Sequence, residues 1–221
     1  MHKSEHKGSS QNGKTTPNHQ MRRNSERSRR SAGFAVIALA ASAGGLQALS
    51  QILSTLPADF PVPLAVIQHR TTKSPNLLAR VLARQTRLKV KTATDGEQMH
   101  PGTVYIAPPD QHLLINTDHT LALSDGRRIR HVLSSANPPF TSAAHTFKNR
   151  VIAVVLTGGD SDATDGVQSV KAAGGIVIVQ DQATSEHFAM PKAAIETSCG
   201  DYVLPLNQSG PTLLRFVRAG H

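Results

Sequence analysis

The chain has 221 residues, enough for one well-buried domain with an appendage and too few for two domains of ordinary size. Its formal net charge is +9, but residues 1–32 carry eight Lys or Arg against two Glu, so the rest of the chain is only mildly basic. The sequence contains neither the roughly 20 consecutive apolar residues of a membrane span nor the apolar segment of a secretory signal. We therefore expect a soluble, cytoplasmic protein.

Residues 1–32 are predicted to form a disordered basic tail, and residues 33–221 one folded domain. The tail is rich in Ser, Asn, Gln, Gly and His and has almost no large apolar residue, so it cannot bury enough surface to offset the entropy of ordering. Solvated disorder is the favoured interpretation of its charge, and contact with an acidic partner or with membrane phosphates is the alternative. The single cysteine, Cys199, excludes an internal disulfide and fits a small buried thiol better than a nucleophile.

From residue 34 onward, short apolar runs alternate with longer amphipathic stretches, a pattern typical of parallel strands joined by helical crossovers. The predicted elements are, in chain order, strand 34–39, helix 46–55, strand 64–68, helix 75–85, strand 88–92, strand 104–107, helix 141–148, strand 151–156, helix 165–173, strand 176–179, helix 191–198, strand 202–204 and helix 211–218. Three strands, FAVIAL, LAVIQ and VIAVVL, are almost wholly apolar, which indicates helical cover on both faces.

The segment 112–126, HLLINTDHTLALSDG, has two apolar runs separated by polar turn residues and predicts an antiparallel hairpin. The fold class is therefore α/β: a doubly wound, mainly parallel sheet with helices on both faces and a small antiparallel hairpin.

Three polar residues fall just beyond the ends of three apolar strands. Ser42 follows the first strand, His69 the second and Asp162 the strand VIAVVL. The carboxyl ends of parallel strands share one edge, where ligand crevices form, so these residues are expected to converge. Ser42 also lies in a turn of small residues between a strand and a helix, as a nucleophile elbow does. An imidazole can take the serine proton, and a carboxylate can orient that imidazole. The pattern therefore indicates nucleophilic catalysis.

Each of these residues also has a plain structural interpretation. Ser42 could be a helix cap or a turn residue, and a histidine at a strand end is often an ordinary surface residue. Asp162 could cap a helix, and Asp160 and Asp165 compete with it for any carboxylate role. Convergence of all three at one edge of the sheet favours the catalytic interpretation.

Residues from about 34 to 219 resemble the catalytic domain of the chemotaxis protein-glutamate methylesterases, the CheB family. The resemblance rests on five ordered segments: ASAGG at 41–45, VIQHR at 66–70, GTVYIAPPDQHL at 102–113, LTGGDSDATDG at 156–166 and QDQATSEHFAMPKAAI at 180–195. It implies serine-dependent hydrolysis of glutamate methyl esters on chemoreceptor helices, with deamidation of receptor glutamines in many members. By motif position it assigns the catalytic serine, histidine and aspartate to Ser42, His69 and Asp162.

The chain departs from the family pattern at several positions. Ala40 and Ala43 stand where the family usually has Gly and Thr, and Gly159 and Asp160 replace a Met-Gly pair. The resemblance implies an oxyanion hole built from the backbone amides of Gly159 and His69. Asp160 adds a negative charge close to the predicted triad, so activity could differ from that of the family. The family's usual regulatory receiver domain is also absent from the sequence given, and nothing before residue 33 could form one.

The sequence leads to two hypotheses about function, one of an enzyme and one of a binding module. The first is an active esterase acting on methylated chemoreceptor helices, with other chemotaxis proteins as further partners. The second is a catalytically weakened CheB-like binding module in a signalling assembly, which the departures around Gly159 favour and the retained triad opposes. Specific nucleic-acid binding is not expected, because interleaved aromatic residues and a recognised fold signature are missing. No clustered Cys/His set suggests a metal, and no cofactor is expected.

Overall fold

The structure, a computed structural model, describes residues 33–69, 77–125 and 134–219. The predicted tail, residues 1–32, lies outside the described residues, as does the start of the helix predicted at 75. None of the helices within the described ranges combines the length and the apolar character needed to cross a bilayer.

The described residues contain nine strands and six α-helices. The strands are β1 (Val36–Ala41), β2 (Leu64–Gln68), β3 (Lys89–Thr92), β4 (Thr103–Ile106), β5 (His112–Ile115), β6 (Leu121–Ser124), β7 (Val151–Val155), β8 (Ile176–Gln180) and β9 (Tyr202–Leu204). The helices are α1 (Gly45–Ser54), α2 (Leu77–Ala83), α3 (Asn137–Phe147), α4 (Thr164–Ala172), α5 (Ala189–Glu196) and α6 (Leu206–Ala219), with a short 3-10 turn at Lys148–Arg150.

Seven strands form one parallel sheet in the order β3-β4-β2-β1-β7-β8-β9, and β5 and β6 form a separate antiparallel hairpin. The chain proceeds from β1 outward through β2 on one side and later returns to place β7 on the other side of β1. The strand order thus reverses between β1 and β7, and a crevice opens outside the carboxyl ends of strands at such a switch point. The predicted fold class is confirmed.

The sheet is covered by helices on both faces. Every residue of β1 is buried, and its side chains alternate between the two layers. One face packs against α1, α2 and α6, and the other against α3, α4, α5 and the hairpin. Helix α1 places Ala48, Leu49, Ile52 and Leu53 on its inner face, where each large side chain contributes about 1.5–3 kcal/mol by burial. These layers hold the ends of β1, β2 and β7 rigidly beside one another.

Two helices begin four or five residues earlier than the sequence predicts, and both contain proline in their first two turns. Helix α3 starts at Asn137 rather than 141, because Pro138 and Pro139 occupy first-turn positions whose amides need no intrahelical partner. Helix α6 starts at Leu206 rather than 211 and contains Pro211 in its interior. Packing of its apolar face on the sheet offsets the backbone hydrogen bond that this proline removes.

Candidate active site

Ser42 occupies the turn between β1 and α1, at the switch point of the sheet. Its amide donates to the carbonyl of Thr157, 2.9 Å away, which ties the turn to the second residue after β7. Gly44 ends the turn in the left-handed region, with φ of 75°, as the N-cap of α1. A Cβ on Gly158 would lie 3.0 Å from the Cβ of Ser42 and 2.9 Å from a carbon of Met190, so glycine is required where the chain passes the serine. The side chain of Ser42 is half-buried.

His69 directly follows β2, next to the end of β1. The register pairs Ala41 with Gln68, so Ser42 and His69 leave neighbouring strands at the same level. The amide of His69 donates to the carbonyl of Ala41 at 3.1 Å, which extends the parallel ladder by one residue. The histidine side chain is 9 % exposed, so its ring nitrogens need partners within the protein.

Asp162 is the best-anchored carboxylate of the site and is 1 % exposed. One oxygen, Oδ2, lies 2.8 Å from Nε2 of His69 and accepts the amide of Ala136 at 2.5 Å. The other oxygen accepts the hydroxyl of Ser135 at 2.7 Å and the side-chain amide of Asn137 at 3.0 Å. Four donors therefore compensate the burial of this charge, as a buried carboxylate requires.

A second carboxylate, Asp160, contacts the same imidazole on its opposite nitrogen. Its Oδ2 lies 2.9 Å from Nδ1 of His69, and its Oδ1 accepts the amide of Asp162 at 3.0 Å. The Asp160 side chain is 37 % exposed. His69 is thus placed between two acidic side chains, both from the connection between β7 and α4.

The two carboxylates change the protonation of the histidine. Burial, the largest single influence, lowers the pKa of His69, but the hydrogen bonds to Asp160 and Asp162 and the charges of both outweigh it and raise the pKa from 6.5 to about 9. Burial also acts to raise the pKa of each carboxyl, yet the bond to His69 and backbone donors hold both values below the ordinary range. At neutral pH this arrangement is an imidazolium between two carboxylates.

The structure places Ser42, His69 and Asp162 at the carboxyl edge of the sheet, where the sequence predicts them. They do not form the continuous chain of hydrogen bonds, from aspartate to histidine to serine, that defines a catalytic triad. Within the described ranges the Ser42 hydroxyl has no hydrogen bond to His69, because both ring nitrogens are already bonded to carboxylates. Asp160, which the sequence offers as a rival to Asp162, contacts the ring together with it rather than replacing it. Asp165, the other rival, lies in the first turn of α4.

The two backbone amides expected to form an oxyanion hole differ in their surroundings. Gly159 is exposed, and among the described residues its amide has no acceptor. Within the described part of the chain, a Cβ at Gly159 would meet nothing within 4 Å, so there is space next to the α-carbon that follows this amide. The amide of His69 donates to Ala41, and it could face an oxyanion only by sharing or giving up that bond.

Ser135 and Asn137 are part of the site and were not singled out by the sequence analysis. Both precede the two prolines that open α3, and Asn137 also accepts the amide of Gly166 at 2.8 Å. The available signal is the polar segment SSAN before a Pro-Pro pair, since such residues at a helix start often bond to neighbouring backbone or carboxylate groups. The segment nevertheless gives no indication that its partner is Asp162.

The fold and this edge define a class: an α/β protein with a serine turn, a histidine and a buried aspartate at the switch point of a parallel sheet. The family described as CheB methylesterase matches residues 37–213. The solved structure of the Thermotoga maritima CheB methylesterase catalytic domain superimposes with a TM-score of 0.82 at 36 % identity, covering 84 % of this chain and all of that one. The chain belongs to the CheB methylesterase family, which confirms the family resemblance.

The relatives differ in how much of their length the chain spans. It is 37 % identical over 182 residues to a relative from Leptospira interrogans, covering 82 % of this chain and 94 % of that protein. It is 38 % identical over 184 residues to the protein-glutamate methylesterase FrzG of Myxococcus xanthus, covering 83 % of this chain and 55 % of FrzG. The chain therefore spans nearly the whole of one relative and about half of the other.

Proposed function

We propose that this chain hydrolyses methyl esters of glutamate side chains on chemoreceptors, with Ser42 as nucleophile, His69 as base and Asp162 as the group that orients His69. The observation that carries the proposal is the buried Asp162, which accepts four hydrogen bonds, one of them from Nε2 of His69, and the strand before His69 pairs with the strand before Ser42. A buried carboxylate in this position fixes the ring orientation and stabilises the imidazolium that forms when the serine proton is taken.

In the proposed reaction the Ser42 oxygen attacks the ester carbonyl carbon while His69 accepts the hydroxyl proton. The tetrahedral intermediate then collapses, the bond to the methoxy oxygen breaks, and His69 returns the proton so that methanol leaves. Water, deprotonated by the same imidazole, then attacks the carbonyl carbon of the acyl-serine. The bond from that carbon to the Ser42 oxygen breaks, His69 returns the proton to this oxygen, and the free glutamate side chain leaves. With a glutamine substrate the same steps would release ammonia instead of methanol, and we include this deamidation in the proposal.

The negative oxygen of the intermediate needs hydrogen-bond donors. The amide of Gly159 is suited to this role, since it is exposed, adjoins open space and has no acceptor among the described residues. The backbone amide of His69 is the second donor of the proposal. In the intermediate this amide donates both to the carbonyl of Ala41 and to the negative oxygen. Loss of one such donor costs about 100- to 1000-fold in rate, so the geometry at Gly159 has a large influence on activity.

The alternative of a catalytically weakened binding module is not favoured. The relatives from Myxococcus xanthus and Anaeromyxobacter dehalogenans are named protein-glutamate methylesterases, and the chain has all three side chains of the proposed triad, with His69 bonded to Asp162. The same names support a protein glutamate methyl ester as the substrate. We add chemoreceptor helices as the protein that carries it, other chemotaxis proteins as partners and the cytoplasm as the place of action. These assignments are part of the proposal.

The test measures methanol release from a helical peptide that carries a glutamate 5-methyl ester. Ser42→Ala should abolish release, because the change removes the attacking oxygen alone. Ser54→Ala is a matched control, since Ser54 is exposed on α1 and its hydroxyl bonds the carbonyl of Gln51. His69→Ala should be about as damaging as Ser42→Ala, because nucleophile and base act as a unit. Methanol release that persists in Ser42→Ala would place the nucleophile elsewhere, and an inactive unmodified protein would refute the esterase proposal.

A further inference from the structure

Both ring nitrogens of His69 are bonded to carboxylates, and this bonding is incompatible with the proposed role of His69 as a base. A neutral imidazole has one N–H and one lone pair, and only the imidazolium donates from both nitrogens. Asp160 and Asp162 present acceptor oxygens 2.9 and 2.8 Å from Nδ1 and Nε2, so the observed arrangement requires the doubly protonated ring. A doubly protonated ring cannot take a proton from Ser42.

The two carboxylates are held very differently. Asp162 receives four hydrogen bonds and is 1 % exposed, whereas Asp160 has the ring and the amide of Asp162 as partners and is 37 % exposed. Among the described residues, a Cβ on the preceding Gly159 would meet nothing within 4 Å, which leaves space beside Asp160. Asp160 is therefore the carboxylate that can leave the ring at low cost.

Among the described residues, the charged side chains that act on His69 are Asp160 and Asp162. The segment before α3 presents uncharged donors to Asp162, from Ser135, Ala136 and Asn137. The end of β1 presents the backbone and the hydroxyl of Ser42, and the groups that raise the pKa of His69 are Asp160 and Asp162. The state of the ring within the described residues is thus controlled by two carboxylates, one fixed and one free to move.

We propose that Asp160 competes with Ser42 for Nδ1 of His69 and so holds the site in a resting form that opens when Asp160 turns away. This inference rests on the proposed function and names its regulation. In the resting form both ring nitrogens of His69 carry protons, so His69 cannot take the hydroxyl proton of Ser42. When Asp160 turns into the open space beside Gly159, Nδ1 loses its proton to solvent, the ring keeps its bond to Asp162 and Nδ1 becomes available to the Ser42 hydroxyl. Asp160 is in this sense a positioning residue.

The inference predicts a gain of activity on removal of Asp160, which an ordinary supporting residue would not give. A base with a pKa about 9 is only about 1 % neutral at pH 7, so a fall of one to two units should raise methanol release on the order of 10- to 50-fold at that pH. Above about pH 9.5 the advantage should vanish, because the ring is then neutral in both proteins. The acid limb of the pH–rate profile should move down by more than one unit.

The experiment compares the unmodified protein, Asp160→Asn and Asp160→Ala, using the methylated peptide. Asp59→Asn serves as the charge-matched control, since Asp59 is exposed on the connection between α1 and β2, which lies at the opposite edge of the sheet. The pKa of His69 is followed independently of turnover by NMR of the labelled imidazole. We expect both Asp160 variants to lower this pKa and to shift the acid limb, and Asp59→Asn to do neither.

Two outcomes would overturn the inference. An unchanged His69 titration in both Asp160 variants would show that Asp160 does not hold the ring. A lowered titration accompanied by equal or reduced activity at every pH would show that Asp160 does not restrain catalysis. Failure of the proposed function has a different signature: no methanol from any protein, although the NMR titration still responds to Asp160. Methanol release with an unshifted acid limb in the variants is the kinetic form of the first outcome, and it would overturn the role of Asp160 alone.

Discussion

Adjacent glycines beside the serine turn, Gly158 and Gly159, should differ in how much stability they lose on substitution by alanine. Gly158→Ala places a Cβ 2.9 and 3.0 Å from two carbons of Met190 and 3.0 Å from the Cβ of Ser42. The end of the Met190 side chain can move, but its Cβ and that of Ser42 are fixed to backbone. Gly158 is buried and its amide donates to the carbonyl of His187, which keeps the chain from shifting. Overpacking of this kind costs about 1–3 kcal/mol.

For a domain of this size, that cost corresponds to a melting temperature about 2–12 °C lower. Gly159→Ala is the matched control, because its Cβ would enter open space, and we expect its melting temperature to stay close to that of the unmodified protein. Thermal unfolding by circular dichroism measures both, and methanol release reports whether Ser42 has moved. Gly158→Ala should lose most of the activity. Equal melting temperatures for the two variants would refute the close packing described around Ser42.

Two further predictions concern the charges of the site. The pKa of His69 is raised on folding, so the protonated ring stabilises the folded state fully below pH 6.5. This stabilisation is lost as the pH rises to about 9. Between these two pH values the free energy of unfolding should fall by about 1.4 kcal/mol per pH unit. Denaturant unfolding at several pH values checks this, and a His69→Gln variant with the same slope would contradict it. Asn137→Ala should cost about 1–3 kcal/mol, because Asp162 loses a donor and the buried amide of Gly166 loses its acceptor. Asn116→Ala, at an exposed hairpin position, should change the melting temperature little, and equal losses in the two variants would count against the assigned role of Asn137.

The apolar strands explain why the sequence was sufficient to predict much of the fold. The runs that form β1, β2 and β7 are buried on both faces, so their composition alone indicates a parallel sheet with helices on each side. Because the carboxyl ends of parallel strands lie at one edge of the sheet, the sequence alone predicts that the residues following them lie together. The convergence of His69 with Asp162 follows from that rule.

The second carboxylate could not be predicted in the same way. Asp160 and Asp162 are two residues apart in an irregular connection, and their spacing does not reveal that both side chains reach one imidazole. That outcome depends on the backbone path after β7, including Ala163, which has a φ of 75°. Helix starts were also misplaced where prolines occur, because proline is read as a boundary even when burial of the helix face compensates for it.

The pairing of β1 with β7 determines when the site can form during folding. Val36 pairs with Val151, so the two central strands are distant in the chain and must meet before Ser42 approaches the connection that carries Asp162. Contacts between residues far apart in sequence form late and slow the folding of parallel sheets, since loop closure has to precede any gain in packing. An intermediate containing β1, β2 and α1 would already hold the serine and the histidine but not the aspartate. Recovery of esterase activity during refolding should therefore follow the docking of β7 and lag behind the appearance of secondary structure.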